Sequence, residues 1–156
     1  MPNTFSKIYI HLIFAVKGRH GIIQKSWETD LFKYITGIIT NKNQKLLAIN
    51  GYKDHIHILL NIKPNISLSD LVRDIKNNST KYINNKKYTK GKFSWQEGFG
   101  AFSYSESQLP NIIKYINNQK EHHKRRTFKE EYQKFLEKYK INYDEKYLFN
   151  FNDNDK

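Results

Sequence analysis

The sequence predicts an α+β fold of the ferredoxin-like type, in which helices cover one face of an antiparallel sheet, as in RNA-recognition modules. Two observations lead to this prediction. Segments with strand and helix periodicity follow one another in the order β-α-β-β-α-β-α. The first six of these form a split βαβ arrangement, which leaves the last as an additional C-terminal helix. A length of 156 residues without a linker-like segment favours one domain, with residues 1–126 as its main part and 127–156 as a helical, aromatic extension.

The first four elements follow from the spacing of apolar side chains. Residues 5–16 and 55–62 have apolar side chains at every second position, which predicts two strands that each turn one face toward a core. Residues 27–42 have apolar side chains every three or four positions, which predicts a helix. Residues 45–51 are short and apolar and predict a further strand.

The second half of the chain continues the alternation. A helix is predicted from Ser67, which resembles a capping residue, to about Asn84. A basic loop with interleaved aromatic residues occupies 84–98, and a strand is predicted over 99–105. One helix is then predicted over 110–123, because Pro110 suits a first helical turn, and the C-terminal extension contains another over 128–140.

Composition narrows the class of function. The formal net charge of +12 favours a polyanionic partner, either nucleic acid or an anionic membrane surface, although an A/T-rich genome also encourages lysine and asparagine. The absence of cysteine excludes disulfides and thiolate metal sites, and it favours a reducing compartment. No apolar stretch is long enough to span a bilayer. We therefore expect a cytoplasmic protein without membrane association.

The pattern His55-Ile56-His57 lies within a predicted strand. Side chains at positions i and i+2 of a strand point to the same side, so the two imidazoles can chelate one metal ion. A single pattern of this kind more often reflects polar alternation on a surface. We predict that both histidines lie on the open face of the sheet, opposite the helices; burial of His55 beneath a helix would defeat the argument for a metal site.

A second pattern lies on the predicted helix 110–123. Tyr115 and Gln119 are separated by four residues, so they share one face of that helix, beside its apolar stripe. A tyrosine in such a position usually serves packing alone. The two patterns are more informative together than either is separately.

Taken together, these motifs resemble those of the single-tyrosine HUH transposases of the insertion-sequence-200/605 family. The family's histidine pair corresponds to DHIHILL, and its Tyr-x-x-x-Gln helix corresponds to KYINNQ. The segments IYIHLIFAVKGR and FSWQEGF are also similar to the family's. The resemblance covers residues 5–123, and the order and spacing of the motifs agree. The tail resembles that of longer relatives, some of which are solitary genes near repetitive palindromes.

The resemblance implies an HUH endonuclease that cleaves and rejoins single-stranded DNA, with Tyr115 as the nucleophile that forms a 5′-phosphotyrosine. It implies Mg²⁺ or Mn²⁺ held by His55, His57 and Gln119, and two imidazoles with one amide oxygen suit Mn²⁺ well. Because a phenol has a pKa near 10, the nucleophile requires activation. Family members are homodimers that recognise hairpin ends, and in many of them the two subunits share each active site.

Other residues have two interpretations each. His11 either donates a hydrogen bond to the DNA phosphate or is simply a polar residue on the sheet. Asp54 either orients an imidazole or belongs to a turn. Basic and aromatic residues of the loops either contact DNA or are solvated; the candidates are Arg19, Lys86, Lys87, Lys90, Lys92, Trp95, Lys124, Arg125 and Arg126.

Two rival functions stay open at this point. One is a non-catalytic module that binds single-stranded nucleic acid. The other is a domesticated relative that acts on palindromic repeats without moving its own gene.

Overall fold

The computed structural model describes residues 3–18 and 22–149. Within these ranges, the elements agree in order with the sequence prediction, except that the helix predicted over 110–123 is two helices that meet at Asn118. The strands are β1 (Tyr9–Ala15), β2 (Lys45–Gly51), β3 (His55–Asn61) and β4 (Gly100–Tyr104). The helices are α1 (Lys25–Asn41), α2 (Leu68–Lys86), α3 (Leu109–Asn117), α4 (Gln119–His122) and α5 (Phe128–Lys138).

The four strands form one sheet in the order β2-β3-β1-β4, and every neighbouring pair is antiparallel. This is the predicted ferredoxin-like topology, with β1 and β3 at the centre. Helices α1 and α2 pack on one face, where Leu12, Ile56 and Ile58 are fully buried. The apolar alternation of the two central strands therefore predicted this face correctly.

The opposite face of the sheet carries the histidines, as predicted, but it is not open. His11, His55 and His57 are all fully buried, beneath a second layer that contains α3, α4 and α5. The prediction of an open face is therefore wrong, and Phe128 of α5 lies on His55, the arrangement that was expected to defeat the argument for a metal site. A metal site here rests on the geometry of the cluster and not on exposure of this face. The physical reason for the cover lies in the neighbours of the histidines. Ile13 and Leu59 lie on this face as well, and a sheet with apolar residues on both faces requires a cover on both.

Much of the second layer comes from the C-terminal extension. The side chains of α5 that face the sheet are buried: Phe128, Tyr132, Phe135 and Leu136. Gly100 of β4 makes room for this helix, because a Cβ atom at that position would lie 2.8 Å from the Tyr132 hydroxyl. Among the residues that the structure describes, no helix is long and apolar enough to cross a membrane.

Candidate metal centre and nucleophile

His55 and His57 converge because they occupy alternate positions of β3, and their rings are 5.0 Å apart. The Nδ1 atom of each ring has a partner behind it. His55 Nδ1 donates to Asp54 Oδ1 over 2.7 Å, and His57 Nδ1 is hydrogen-bonded over 2.7 Å to His11 Nε2. Both Nε2 atoms are thereby aimed at the same point, which is how proteins orient imidazoles that bind a metal ion.

These contacts decide between the two interpretations of Asp54 and give His11 a position that neither of its interpretations described. Asp54 orients the ring of His55. His11 is fully buried and supports His57, so it is neither an exposed polar residue nor accessible to a DNA phosphate in this form.

The break between α3 and α4 brings the second pattern to the same point. Asn118 leaves helical geometry, with φ −99° and ψ 22°, and Gln119 begins α4. The Gln119 side chain is buried, with Oε1 3.3 Å from His55 Nε2. The Tyr115 ring lies 6.1 Å from the ring of His57.

Two polar side chains fasten α3 and α4 to β2. Asn50 Nδ2 donates to the Ile116 carbonyl over 2.9 Å, and Lys120 Nζ donates to the Gly51 carbonyl over 2.6 Å. Asn50 pairs with His57 in the sheet, so the tether lies beside the cluster. The structure therefore brings all four predicted residues together within one chain.

Glu131 of α5 occupies the centre of this cluster, and it was not among the predicted site residues. Its Oε1 atom lies 3.0 Å from His57 Nε2 and 3.2 Å from His55 Nε2. Its Oε2 atom accepts hydrogen bonds from the Tyr115 hydroxyl and from Gln119 Nε2. The signal was its position between Phe128 and Phe135: a carboxylate on the apolar stripe of an amphipathic helix is buried when that stripe packs.

The charges of the cluster are set by burial and by pairing. Burial alone disfavours the Glu131 carboxylate, but the charge of His57 and hydrogen bonds from His123, His55 and His57 hold its pKa well below the usual range. Burial likewise lowers the pKa of His55, but hydrogen bonds to Asp54 and Glu131 outweigh it and raise that pKa to about 9. Burial chiefly lowers the pKa of His57. A protonated His55 thus lies between the carboxylates of Asp54 and Glu131. The negative charge that stabilises this imidazolium would also stabilise a divalent cation.

Tyr115 is not activated in this form. Burial, followed by the charge of the Glu131 carboxylate and the hydrogen bond to it, raises the pKa of the phenol above its usual value. The Tyr115 hydroxyl therefore keeps its proton and donates a hydrogen bond to Glu131.

The predicted DNA-binding residues fall into distinct groups. Lys86, Lys87, Lys90 and Lys92 are exposed at the end of α2 and in the loop after it, on the side of the sheet away from the histidines. Lys124, Arg125 and Arg126 are exposed between α4 and α5, beside the cluster, and line a surface cavity with Asp54 and His123. Arg19 lies outside the described residues.

The prediction that Trp95 stacks on DNA bases is wrong. The side chain is 7% exposed, packs edge-on against Phe14 and Phe93, and donates from Nε1 to Ser79 Oγ over 2.9 Å. The loop turns this aromatic ring inward, because it fills the space between α2 and the sheet and finds a partner there for its N–H group.

A family model described as "Transposase IS200 like" matches residues 4–119, a stretch that includes β1 to β4, the two histidines, Tyr115 and Gln119. The chain belongs to the IS200-like transposase family. This confirms the resemblance that the motifs indicated. Glu131 lies beyond the stretch that the family model matches, as does the whole of α5.

Two similar proteins support the same assignment for this IS200-like transposase, and a third shares its fold. ISDra2 transposase TnpA from Deinococcus radiodurans is 26% identical over 114 residues, which cover 70% of this chain and 81% of that protein. A crystal structure of a candidate transposase from Deinococcus radiodurans R1 is 26% identical, with a TM-score of 0.61, and the match covers 76% of this chain and 95% of that one. A REP-associated tyrosine transposase bound to a REP hairpin has the same fold at 14% identity, with a TM-score of 0.59 over 79% of this chain and 73% of that one.

Proposed function

We propose that this IS200-like transposase cleaves and rejoins single-stranded DNA, with Tyr115 as the nucleophile and with Mg²⁺ or Mn²⁺ held by His55, His57 and Gln119. One observation carries the proposal. The Tyr115 hydroxyl and the Nε2 atoms of both histidines meet around a single carboxylate in one chain. A module that only binds nucleic acid has no need for this arrangement.

The donors present fit a divalent ion. The Nε2 atoms of His55 and His57 lie 3.2 and 3.0 Å from one Glu131 oxygen, so both face a single point. Gln119 Oε1 lies 3.3 Å from His55 Nε2. The ion would take the place that this Glu131 oxygen holds, and the ligand atoms of His55, His57 and Glu131 lie within 4.8 Å of one another. Mixed nitrogen and oxygen donors favour Mn²⁺, while Mg²⁺ would take more of its ligands from DNA oxygens and water. When bound, the ion polarises the scissile phosphate and stabilises the charge that develops on the departing oxygen.

The proposed reaction conserves the energy of the phosphoester bond that it breaks, because a new phosphoester forms in its place. The Tyr115 oxygen attacks phosphorus in line and the bond from phosphorus to the 3′ oxygen breaks. Tyr115 loses its phenolic proton and the departing 3′ oxygen gains one, so the step is neutral in protons. The products are a 5′-phosphotyrosine and a free 3′-hydroxyl. Attack by another 3′-hydroxyl on the phosphotyrosine restores a phosphodiester and returns the proton to Tyr115. No nucleotide cofactor is needed for rejoining, because one ester replaces another.

We propose single-stranded DNA beside a hairpin as the substrate. The net charge of +12 suits a polyanion, and Lys124, Arg125 and Arg126 lie beside the cluster, where they would hold the strand. The REP-associated tyrosine transposase that shares this fold is bound to a REP hairpin. We also propose action at the nucleoid in the cytoplasm. We further propose a homodimer that holds two DNA ends. The contact of Tyr115 and both histidines with Glu131 within one chain supports a site whose tyrosine and histidines come from the same subunit.

A covalent adduct assay tests this function. DNA labelled on the 3′ side of the cut should migrate with the protein on a denaturing gel in the presence of Mn²⁺, and EDTA should prevent this. Tyr115→Phe should abolish the adduct and preserve DNA binding. Tyr104→Phe is the matched control and should still form the adduct. Tyr104 is buried on the same face of the sheet, and its hydroxyl lies 3.5 Å from His11 Nδ1. If no single-stranded substrate forms an adduct, the binding-module interpretation replaces the enzyme.

A further inference from the structure

We propose that α5 is an inhibitory cover, that its Glu131 carboxylate occupies the place of the scissile phosphate, and that single-stranded DNA must displace it before cleavage. The proposal rests on the proposed function, because it concerns access to the same site. It gives a role to the C-terminal extension, which follows the segment that the family model matches.

The cover closes the site completely. His55, His57 and Gln119 have no exposed surface. The Phe128 ring stacks on His55, with centroids 3.9 Å apart and planes 5° apart, and Phe135 packs edge-on against Tyr115 at 5.8 Å. A DNA phosphate therefore cannot reach either histidine while α5 keeps this position.

Glu131 has the contacts that the mechanism assigns to the phosphate and to the metal ion that would hold it. One of its oxygens accepts from the nucleophile, Tyr115, and from the amide of Gln119. The other lies 3.0 Å from His57 Nε2 and 3.2 Å from His55 Nε2, where the metal ion would bind, so the metal ion and the DNA phosphate together would displace the carboxylate. A carboxylate shares with a phosphodiester its negative charge and a pair of oxygens, so each of these groups finds in Glu131 a substitute for the substrate.

The attachment of α5 suits a cover that can be displaced. Within the described residues, no backbone hydrogen bond joins α5 to a strand; side chains hold it in place. The exposed residues between α4 and α5 would attract DNA phosphates to the segment that leads into α5; they are Lys124, Arg125 and Arg126. DNA would then offer the cluster a second anion in exchange for Glu131, so the buried groups would not be left unpaired.

The same contact also suits a different role, in which Glu131 is the base that accepts the Tyr115 proton. That role requires DNA to reach Tyr115 while Glu131 remains in the cluster. The burial of both histidines opposes it, because Phe128 on His55 and Phe135 against Tyr115 close the site while α5 keeps this position. The two roles predict opposite effects of removing the carboxylate.

The first experiment measures the initial rate of adduct formation by the full chain, with Mn²⁺ and a hairpin with single-stranded flanks. Glu131→Gln keeps the size of the side chain, and Glu131→Ala removes it. Both should form the adduct about tenfold faster or more, because the closed state loses its central anion. Glu137→Gln is the matched control: it removes the same charge from the exposed side of α5 and should leave the rate unchanged. Slower adduct formation by Glu131→Gln, in a folded protein, would overturn the proposal in favour of a base.

A cross-link provides a test that leaves the cluster intact. The Tyr139 hydroxyl at the end of α5 donates to the Ser103 carbonyl of β4 over 2.9 Å, and the chain has no native cysteine. A thiol-cleavable bismaleimide between Ser103→Cys and Tyr139→Cys should stop adduct formation, and reduction of the linker should restore it. The single-cysteine variants, treated in the same way, should stay active. Full activity of the cross-linked protein would show that α5 need not move.

Hydrogen exchange separates this proposal from the proposed function, because it requires no cleavage. Tyr115→Phe should bind the hairpin substrate with Mn²⁺, and the amides of α5 should then exchange faster while those of α1 keep their rate. If DNA binds and α5 exchange is unchanged, the cover is refuted, whatever the adduct assay shows. If α5 opens and no variant ever forms an adduct, the cover stands and the nuclease does not.

Discussion

Phe135→Ala should open the cover selectively. The Phe135 ring is 9% exposed and packs on His11 at 5.2 Å, on Phe102 at 5.2 Å and on Tyr115 at 5.8 Å, so it anchors α5 to both β4 and the cluster. Truncation of a buried phenylalanine costs about 3–5 kcal/mol. The lower value applies here, because the ring keeps some exposure and its neighbours can close around the gap. If α5 opens locally, a loss of about 3 kcal/mol raises its opening constant by roughly 100-fold.

Two measurements on the same protein check this expectation. Amide hydrogen exchange should accelerate in α5 by roughly that factor, while the amides of β1 and β3 should retain most of their protection. The rate of adduct formation should rise in parallel. Ile83→Ala provides the control, because Ile83 is fully buried in α2 on the other face and its truncation should destabilise the domain without selecting α5. Equal acceleration throughout the sheet would refute local opening, since α5 would then unfold only with the whole domain.

Three further outcomes are expected. Asp54→Asn should weaken Mn²⁺ binding by about 10- to 100-fold, measured by calorimetry, because His55 loses the carboxylate that orients it; unchanged affinity would exclude His55 as a ligand. Trp95→Phe should lower the free energy of unfolding by about 1 kcal/mol, since Ser79 loses its hydrogen bond, without changing DNA affinity; weaker DNA binding at full stability would reinstate base stacking. Replacing the three cations before α5 by glutamine should reduce the slope of log K against log salt by about 2, and an unchanged slope would place the strand elsewhere; the residues are Lys124, Arg125 and Arg126.

The sequence predicted the sheet because the information is local. Alternation in β1 and β3 showed which residues face α1 and α2, and the split βαβ order determined that these strands are neighbours. The direction shared by His55 and His57 also follows from strand geometry alone. Tyr115 and Gln119 could be placed on one helix face because they are four residues apart. The order of these motifs was enough to indicate the family that the comparisons confirm.

Other features depend on which distant segments meet. The break at Asn118 follows from the docking of α3 and α4 against β2 through Asn50 and Lys120, which no periodicity within 110–123 reveals. Trp95 turned inward because a space between α2 and the sheet was available to it.

The open face was the main error, and it had the same origin. Ile13 and Leu59 beside the histidines indicated that this face needed a cover, but only tertiary packing decided that α5 would provide it. That helix carried Glu131 into the centre of the cluster, 74 residues along the chain from His57. Sequence thus determined the chemical groups of the site and the strand and helix that carry them. Tertiary structure decided their access to solvent, because burial depends on the packing of segments that are remote in sequence.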